Sequence, residues 1–192
     1  MGARPRKVKP RRSGAFRTQR GWGRLILVLG GASSGKSTVA LSLAGRRSPR
    51  AFVATGEPLD EEMAERIRAH RLSRQGRWET FEIPVDVAKW FSVEGRRYRT
   101  VVLDCLTLWL SNLQRQGIPA ADVPTQVRDM LQAARRANGR VVIVTNELGL
   151  GIVPPDRATR RFRTLAGQVN QQVAEEADEV HLAMSGLTLR LK

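Results

Sequence analysis

The chain is 192 residues long with a formal charge of +15, one cysteine and 41% hydrophobic residues. That length holds one α/β domain with a sizeable core and excludes a second large one. No apolar run approaches the ~18–20 residues of a membrane-spanning helix. Nine Lys/Arg and no acid fall in residues 1–24, so the remainder carries only +6, an ordinary value for an enzyme of phosphorylated substrates.

Residues 1–24 are rich in Pro, Gly and Arg and show no apolar periodicity. A disordered basic extension is expected there, ahead of a single nucleotide-binding catalytic domain over 25–192. The segment lacks the apolar middle of a secretory signal and the amphipathic pattern of a transit peptide. As Cys105 is alone, no intramolecular disulfide can form, and a reducing cytoplasm fits.

The first apolar strand, 25–29, runs into Gly30-x-x-x-x-Gly35-Lys36-Ser37 and then a helical stretch over 37–44 stopped by Gly45. Strand, glycine-rich turn and helix in this order form the context that a P-loop requires. Gly30, Gly31 and Gly35 are expected to let successive N–H groups point at phosphate oxygens. The helix start adds positive potential. Lys36 supplies a charge to the β/γ-phosphates and the Ser37 hydroxyl a ligand to Mg²⁺. The pattern predicts binding of a nucleoside triphosphate.

A short strand at 51–54 ends in Thr55-Gly56. Pro58 is expected to start a helix with acids early and arginines late, the polarity that the dipole favours. Its apolar stripe holds Met63 and Ile67, and His70 falls three residues further along it. Strands are expected at 78–83, 98–103 and 141–144, and helices at 85–91, 107–116 and 125–137. Residues 148–155 are rich in Gly and Pro and read as irregular. Asp156 can cap a long helix with Phe162, Leu165, Val169 and Val173 on its buried side. Two short strands at 179–183 and 188–191 flank a Ser185-Gly186 turn. Alternating strands and helices, with several strands apolar throughout, predict a mostly parallel sheet covered on both faces plus a small antiparallel C-terminal addition. Gly30, Thr55, Asp104 and Asn146 then stand at the strand ends where such sheets bind ligands.

Asp104 ends an apolar strand, where it can organise Mg²⁺, accept a proton from an attacking hydroxyl, or merely cap the next helix. His70 is a core histidine or, among Arg66, Arg68, Arg71, Arg74 and Arg77, a nucleophile toward phosphorus. Spacing alone favours the core histidine. His181 alternates in a late strand and reads as structural. A solvated carboxylate is the default for Glu82. Thr145-Asn146-Glu147 is either a turn or a set of polar groups for a substrate. Arg157, Arg160, Arg161 and Arg163 are either a solvated face or a grip on a phosphate-bearing substrate.

From about residue 25 to the end, the chain resembles the bifunctional adenosylcobinamide kinase / adenosylcobinamide-phosphate guanylyltransferase family of cobalamin biosynthesis. The resemblance rests on GGASSGKS (30–37), VATGEPLDEEMAERIRAHR (53–71), VVLDCLTLWLSNL (101–113), VTNELGLGIVP (144–154) and RRFRTLAGQVNQQVAEEADEVHLAMSGL (160–187). It implies a RecA-like P-loop fold assembled as a homotrimer. It implies phosphorylation of adenosylcobinamide with ATP or GTP. GMP is then transferred from GTP to adenosylcobinamide phosphate through a GMP–histidine intermediate, with Mg²⁺ as the metal.

The histidine of that intermediate matches His70. The catalytic set implied is His70, Lys36 and Asp104, with Ser37 and Asp104 at the metal. Nucleotide contacts are implied for Gly30, Gly31, Ala32, Ser33, Ser34, Gly35, Lys36 and Ser37, for Ala54, Thr55 and Gly56, and for Arg71, Leu72, Ser73 and Arg74. Glu82 and Asp104 match acidic positions near the guanine nucleotide. Many members of the family carry Arg at the position of Ser33, a second His at Ala69 and Asp at Thr164, and some carry Glu at Asp104. The alternative is a P-loop small-molecule kinase without guanylyl transfer, which has no need of His70. A nucleic-acid motor using the basic tail ranks below both, since no nucleic-acid module is recognisable and a single Tyr is present for stacking.

Overall fold

The computed structural model describes residues 23–72 and 76–192, with Arg66 described by its backbone alone. The tail expected over 1–24 lies outside the described residues up to position 22. Gly23 and Arg24 belong to the fold: Gly23 N–H donates to the Arg135 carbonyl at 2.7 Å, and Arg24 opens the first strand.

Elements follow in the order β1 (Arg24–Gly30), α1 (Lys36–Ala44), β2 (Arg50–Ala54), α2 (Glu61–Leu72), β3 (Glu79–Glu82), α3 (Val87–Val93), β4 (Thr100–Asp104), α4 (Leu106–Arg115), α5 (Val123–Arg135), β5 (Arg140–Asn146), α6 (Arg157–Glu176), β6 (Glu179–Met184) and β7 (Leu187–Arg190). The seven strands form one sheet in the order β3-β2-β4-β5-β1-β6-β7. Six run parallel, and β7 alone is antiparallel, against β6. The expected antiparallel addition is therefore a single strand. β6 is a full parallel member beside β1, and the Ser185-Gly186 turn, with φ of 51° and 79°, folds β7 back onto it.

Side-chain alternation along the buried strands builds two cores. Leu25, Leu27, Val101, Leu103, Val141 and Ile143 face α3, α4, α5 and α6, whereas Ile26, Val28, Phe52, Val102, Val142 and Val144 face α1. Helices cover both faces, four on one side and principally α1 on the other. The helix expected from Pro58 begins at Glu61, because the Asp60 carboxylate caps it by accepting Met63 N–H at 2.7 Å. No described side chain of α2 enters either core. Its apolar stripe stops at half-buried Ile67, and His70 is exposed rather than packed. The Asp156 cap holds as expected, its carboxylate accepting Thr159 N–H at 2.7 Å.

Candidate active site

The carboxyl ends of the parallel strands gather the polar residues. At the end of β1 the P-loop turns back on itself. A Cβ on Gly30 would lie 2.4 Å from Ser34 Oγ and 2.6 Å from the Ala183 carbonyl, so close approach requires glycine there. Gly35 is required by its φ of +87°. Gly31 meets neither requirement, because a Cβ there would touch nothing. Ser33 takes a left-handed φ of 54°, a conformation in which a non-glycine residue is uncommon. The β6–β7 turn braces the loop, Gly186 N–H donating to the Ser34 carbonyl at 3.1 Å.

Lys36 is buried, and its Nζ donates to the Gly31 carbonyl at 2.9 Å. Ser37 Oγ donates to Asp104 Oδ2 at 3.1 Å. A hydroxyl and a carboxylate this close can share one divalent cation, the hard-oxygen donor set that Mg²⁺ prefers. Asp104 does not cap α4: Cys105 holds that position, without a side-chain cap. Ser34 Oγ is buried with no hydrogen-bond partner among the described residues, a donor directed within a phosphate-type loop.

A second group lies at the β2–β3 edge. Arg71, in the last turn of α2, reaches Glu82 at the end of β3, Nη1 to Oε1 at 3.2 Å. Both side chains are more than half exposed, so this pair contributes little stability. α2 meets the sheet at Gly56, where a Cβ would contact Ile67 at 3.6 Å and Leu108 at 3.5 Å. The strand order puts Asp104 of β4 between this group and the P-loop of β1. The fold thus brings Lys36, Ser37 and Asp104 together at one place and Arg71 and Glu82 at another, with His70 on the helix of the second. Ala32 and Ser33 are exposed, as is Leu72, while Ser73 and Arg74 lie outside the described residues.

Thr55 is buried, and its Oγ1 donates to the Cys105 carbonyl at 2.7 Å while accepting Cys105 N–H at 2.9 Å. This locks the end of β2 to the residue after Asp104. Burial, and then the charge of Asp104, push the Cys105 thiol up to about 12.

Three positions carry more of the architecture than their sequence context suggests. Asn112 Nδ2 donates to the carbonyls of Thr55 and Pro84, each at 2.8 Å. Thr107 Oγ1 accepts Asn146 N–H at 2.9 Å, and Asn170 Nδ2 donates to the Asn146 carbonyl at 3.0 Å. Thr145 Oγ1 donates to Asn170 Oδ1 at 2.8 Å, so Thr145 serves the fold. Glu147 closes a turn by accepting Gly149 N–H at 2.6 Å. A polar residue placed among helical apolar ones was the one available signal for Asn112 and Asn170. His181 is buried with its Nε2 3.1 Å from Glu179 Oε2, in keeping with a structural part.

No helix among the described residues is long and apolar enough to cross a membrane. The chain is similar in structure to a KaiC-like protein from the hyperthermophilic archaeon Pyrococcus horikoshii OT3, with a TM-score of 0.50 and 12% identity, over 84% of this chain and 71% of that one. That likeness concerns the fold alone, which is of the RecA-like P-loop type. In sequence it is 38% identical over 181 residues to the bifunctional adenosylcobalamin biosynthesis protein CobU of Escherichia coli (strain K12), covering 88% of this chain and 99% of that protein. It is 37% identical over 167 residues to the bifunctional adenosylcobalamin biosynthesis protein CobP of Pseudomonas aeruginosa, covering 86% and 96% respectively. The family model described as cobinamide kinase / cobinamide phosphate guanyltransferase matches residues 26–191, and the chain belongs to that family.

Proposed function

We propose that this chain catalyses two consecutive transfers in assembling the nucleotide loop of cobalamin. In the first, the aminopropanol hydroxyl of adenosylcobinamide attacks the γ-phosphorus of ATP or GTP. The β–γ bridge breaks and the nucleoside diphosphate leaves. In the second, a ring nitrogen of His70 attacks the α-phosphorus of GTP, forming a P–N bond and expelling pyrophosphate. A phosphate oxygen of adenosylcobinamide phosphate then attacks the same phosphorus, the P–N bond breaks, and adenosylcobinamide-GDP is released. Splitting the second transfer replaces one difficult displacement by two easier ones.

The observation that carries this reading is the Ser37–Asp104 contact beside Lys36, in a chain of this family. In the proposal, the amides of Gly30–Ser37 cradle the phosphates. Lys36 leaves the Gly31 carbonyl for the β/γ-phosphates, and Ser34 Oγ gains the partner it lacks. Ser37 and Asp104 would hold Mg²⁺, which when bound neutralises charge on the transferring phosphoryl group. Asp104 also accepts the proton of the attacking hydroxyl. Residues 54–56, Arg71–Arg74 and Glu82 position the guanine nucleotide near His70. The enzyme works as a homotrimer in the cytoplasm, where a lone thiol such as Cys105 stays reduced. Residues 25–192 are its single catalytic domain, with Gly23 and Arg24 joined to it by the Arg135 bond and by β1.

The deciding experiment incubates the protein with Mg²⁺ and GTP labelled at the α-phosphate, beside His70→Ala. Acid-labile, base-stable label on the wild type, absent from the variant and discharged by adenosylcobinamide phosphate, is the expected result. A folded wild type that binds GTP but takes no label would remove the guanylyl transfer and leave the kinase.

A further inference from the structure

Four arginines, Arg157, Arg160, Arg161 and Arg163, stand in the first two turns of α6, and that first turn holds no acid. A cation at the positive end of a helix dipole is unfavourable, and four together repel one another. Two have structural partners. Arg160 Nη1 donates to the carbonyls of Pro154 and Pro155, and Arg163 donates to those of Ile152 and Gly149, so both tie down the segment leaving β5. Arg157 and Arg161 make no hydrogen bond or ion pair with any described residue, and both are exposed. Fold stability gives no reason for either.

Both side chains line an open cavity of about 710 Å³, together with Arg160, Thr164, Ala120, Ala121 and Leu165. This volume is within the range of small-molecule sites, roughly 300–1,000 Å³. The cavity lies between the first turns of α6, the helix that follows β5, and the connection from α4 to α5. Guanidinium groups offer paired N–H donors that match phosphate oxygens. Ala120, Ala121 and Leu165 offer apolar contact to whatever body carries the phosphate. The chemistry is that of a phosphate monoester on a bulky ligand.

We infer that this cavity is a second anion site, apart from the P-loop, which takes the phosphate monoester of the acceptor in the guanylyl transfer. The inference rests on the function proposed above, in which the P-loop is committed to the nucleotide and the acceptor carries the other phosphate. Arg157 and Arg161 supply the charge, while the Thr164 hydroxyl beside them is committed to the Arg160 carbonyl at 3.0 Å.

The test is equilibrium dialysis of the full chain with adenosylcobinamide and, separately, with adenosylcobinamide phosphate. The wild type is expected to bind the phosphorylated form about tenfold or more tightly than the other, the gain that charge-assisted hydrogen bonds supply. Arg157→Gln with Arg161→Gln erases that preference, and the paired Lys variant keeps part of it. The Gln variant should melt no lower than the wild type, because it removes cations from the positive end of a helix. Retention of the full preference in the Gln variant overturns the inference, as does a wild type that binds both corrinoids equally while the proposed function stands. A preference lost in Lys36→Ala but kept in the Gln variant assigns the phosphate to the P-loop and also overturns it. A wild type that binds GTP but neither corrinoid brings down the proposed function and this site with it. Binding of a single-stranded oligonucleotide, abolished in the Gln variant without change in corrinoid binding, would make the cavity a nucleic-acid surface instead.

Discussion

Ser37 Oγ donates a hydrogen bond to Asp104 Oδ2 at 3.1 Å across 67 positions of sequence. The hydroxyl stands in the first turn of α1 and the carboxylate ends β4, two strands away from β1 in the sheet. If the pair organises the metal, either Ser37→Ala or Asp104→Asn lowers Mg²⁺-dependent kcat/KM by several kcal/mol, about 10²-fold or more. Steady-state kinetics of nucleoside triphosphate consumption measure this. Activity within a factor of about three of wild type would remove the pair from the reaction.

Gly30 has no room for a side chain, since its Cβ would meet the Ala183 carbonyl at 2.6 Å. Ser34 can rotate away, but Ala183 is backbone of β6, paired with Gly30 in register. Gly30→Ala should therefore push β6 and its turn off the P-loop, costing about 1–3 kcal/mol and weakening nucleotide binding. Urea unfolding beside a nucleotide titration reads both effects. An alanine variant with wild-type midpoint and affinity would refute the close approach.

Asn112 satisfies two backbone carbonyls on different connections, those of Thr55 and Pro84. Asn112→Leu leaves both without this donor in a buried setting, a loss of about 1–3 kcal/mol. The unfolding free energy in denaturant reports it, and a change under about 0.5 kcal/mol would mean that the carbonyls find other donors.

Burial holds the Cys105 thiol up to about 12, so at pH 8 almost none of it is thiolate. Iodoacetamide should leave the folded protein unmodified at that pH and alkylate it once guanidinium unfolds the chain. Mass spectrometry distinguishes the two states, and rapid labelling of the folded form would contradict this burial.

Glu179 ties three strands. It pairs with Arg24 of β1, His181 of β6 and Arg190 of β7. Burial alone would raise its carboxyl, but the His181 hydrogen bond and the Arg24 and Arg190 charges outweigh it and hold the group below its ordinary 4.5. A lowered folded-state pKa means stability that is present in full above about pH 4.5 and lost as pH falls through the folded value. Glu179→Gln should cost about 1–3 kcal/mol at pH 7, with the gap to wild type closing toward pH 3. Thermal melts across that range test it, and a gap that widens in acid would reverse the sign.

The P-loop, the Asp156 cap and the Ser185-Gly186 turn were legible in the sequence because each is closed by residues within a few positions of one another. The alternation of apolar strands with amphipathic helices likewise determined a parallel sheet covered on both faces, since periodicity is a local property. The sequence did not determine where α2 would stand, and its stripe through Met63, Ile67 and His70 promised more packing than the helix receives. Tertiary structure alone decided that Asp104 meets Ser37 instead of capping α4, and that β6 joins the sheet beside β1. It also decided that Asn112 braces two loops, and that Arg157 and Arg161 share a cavity with Ala120 and Ala121. These relationships depend on strand order and on contacts between residues far apart in the chain, and no spacing within one segment encodes them.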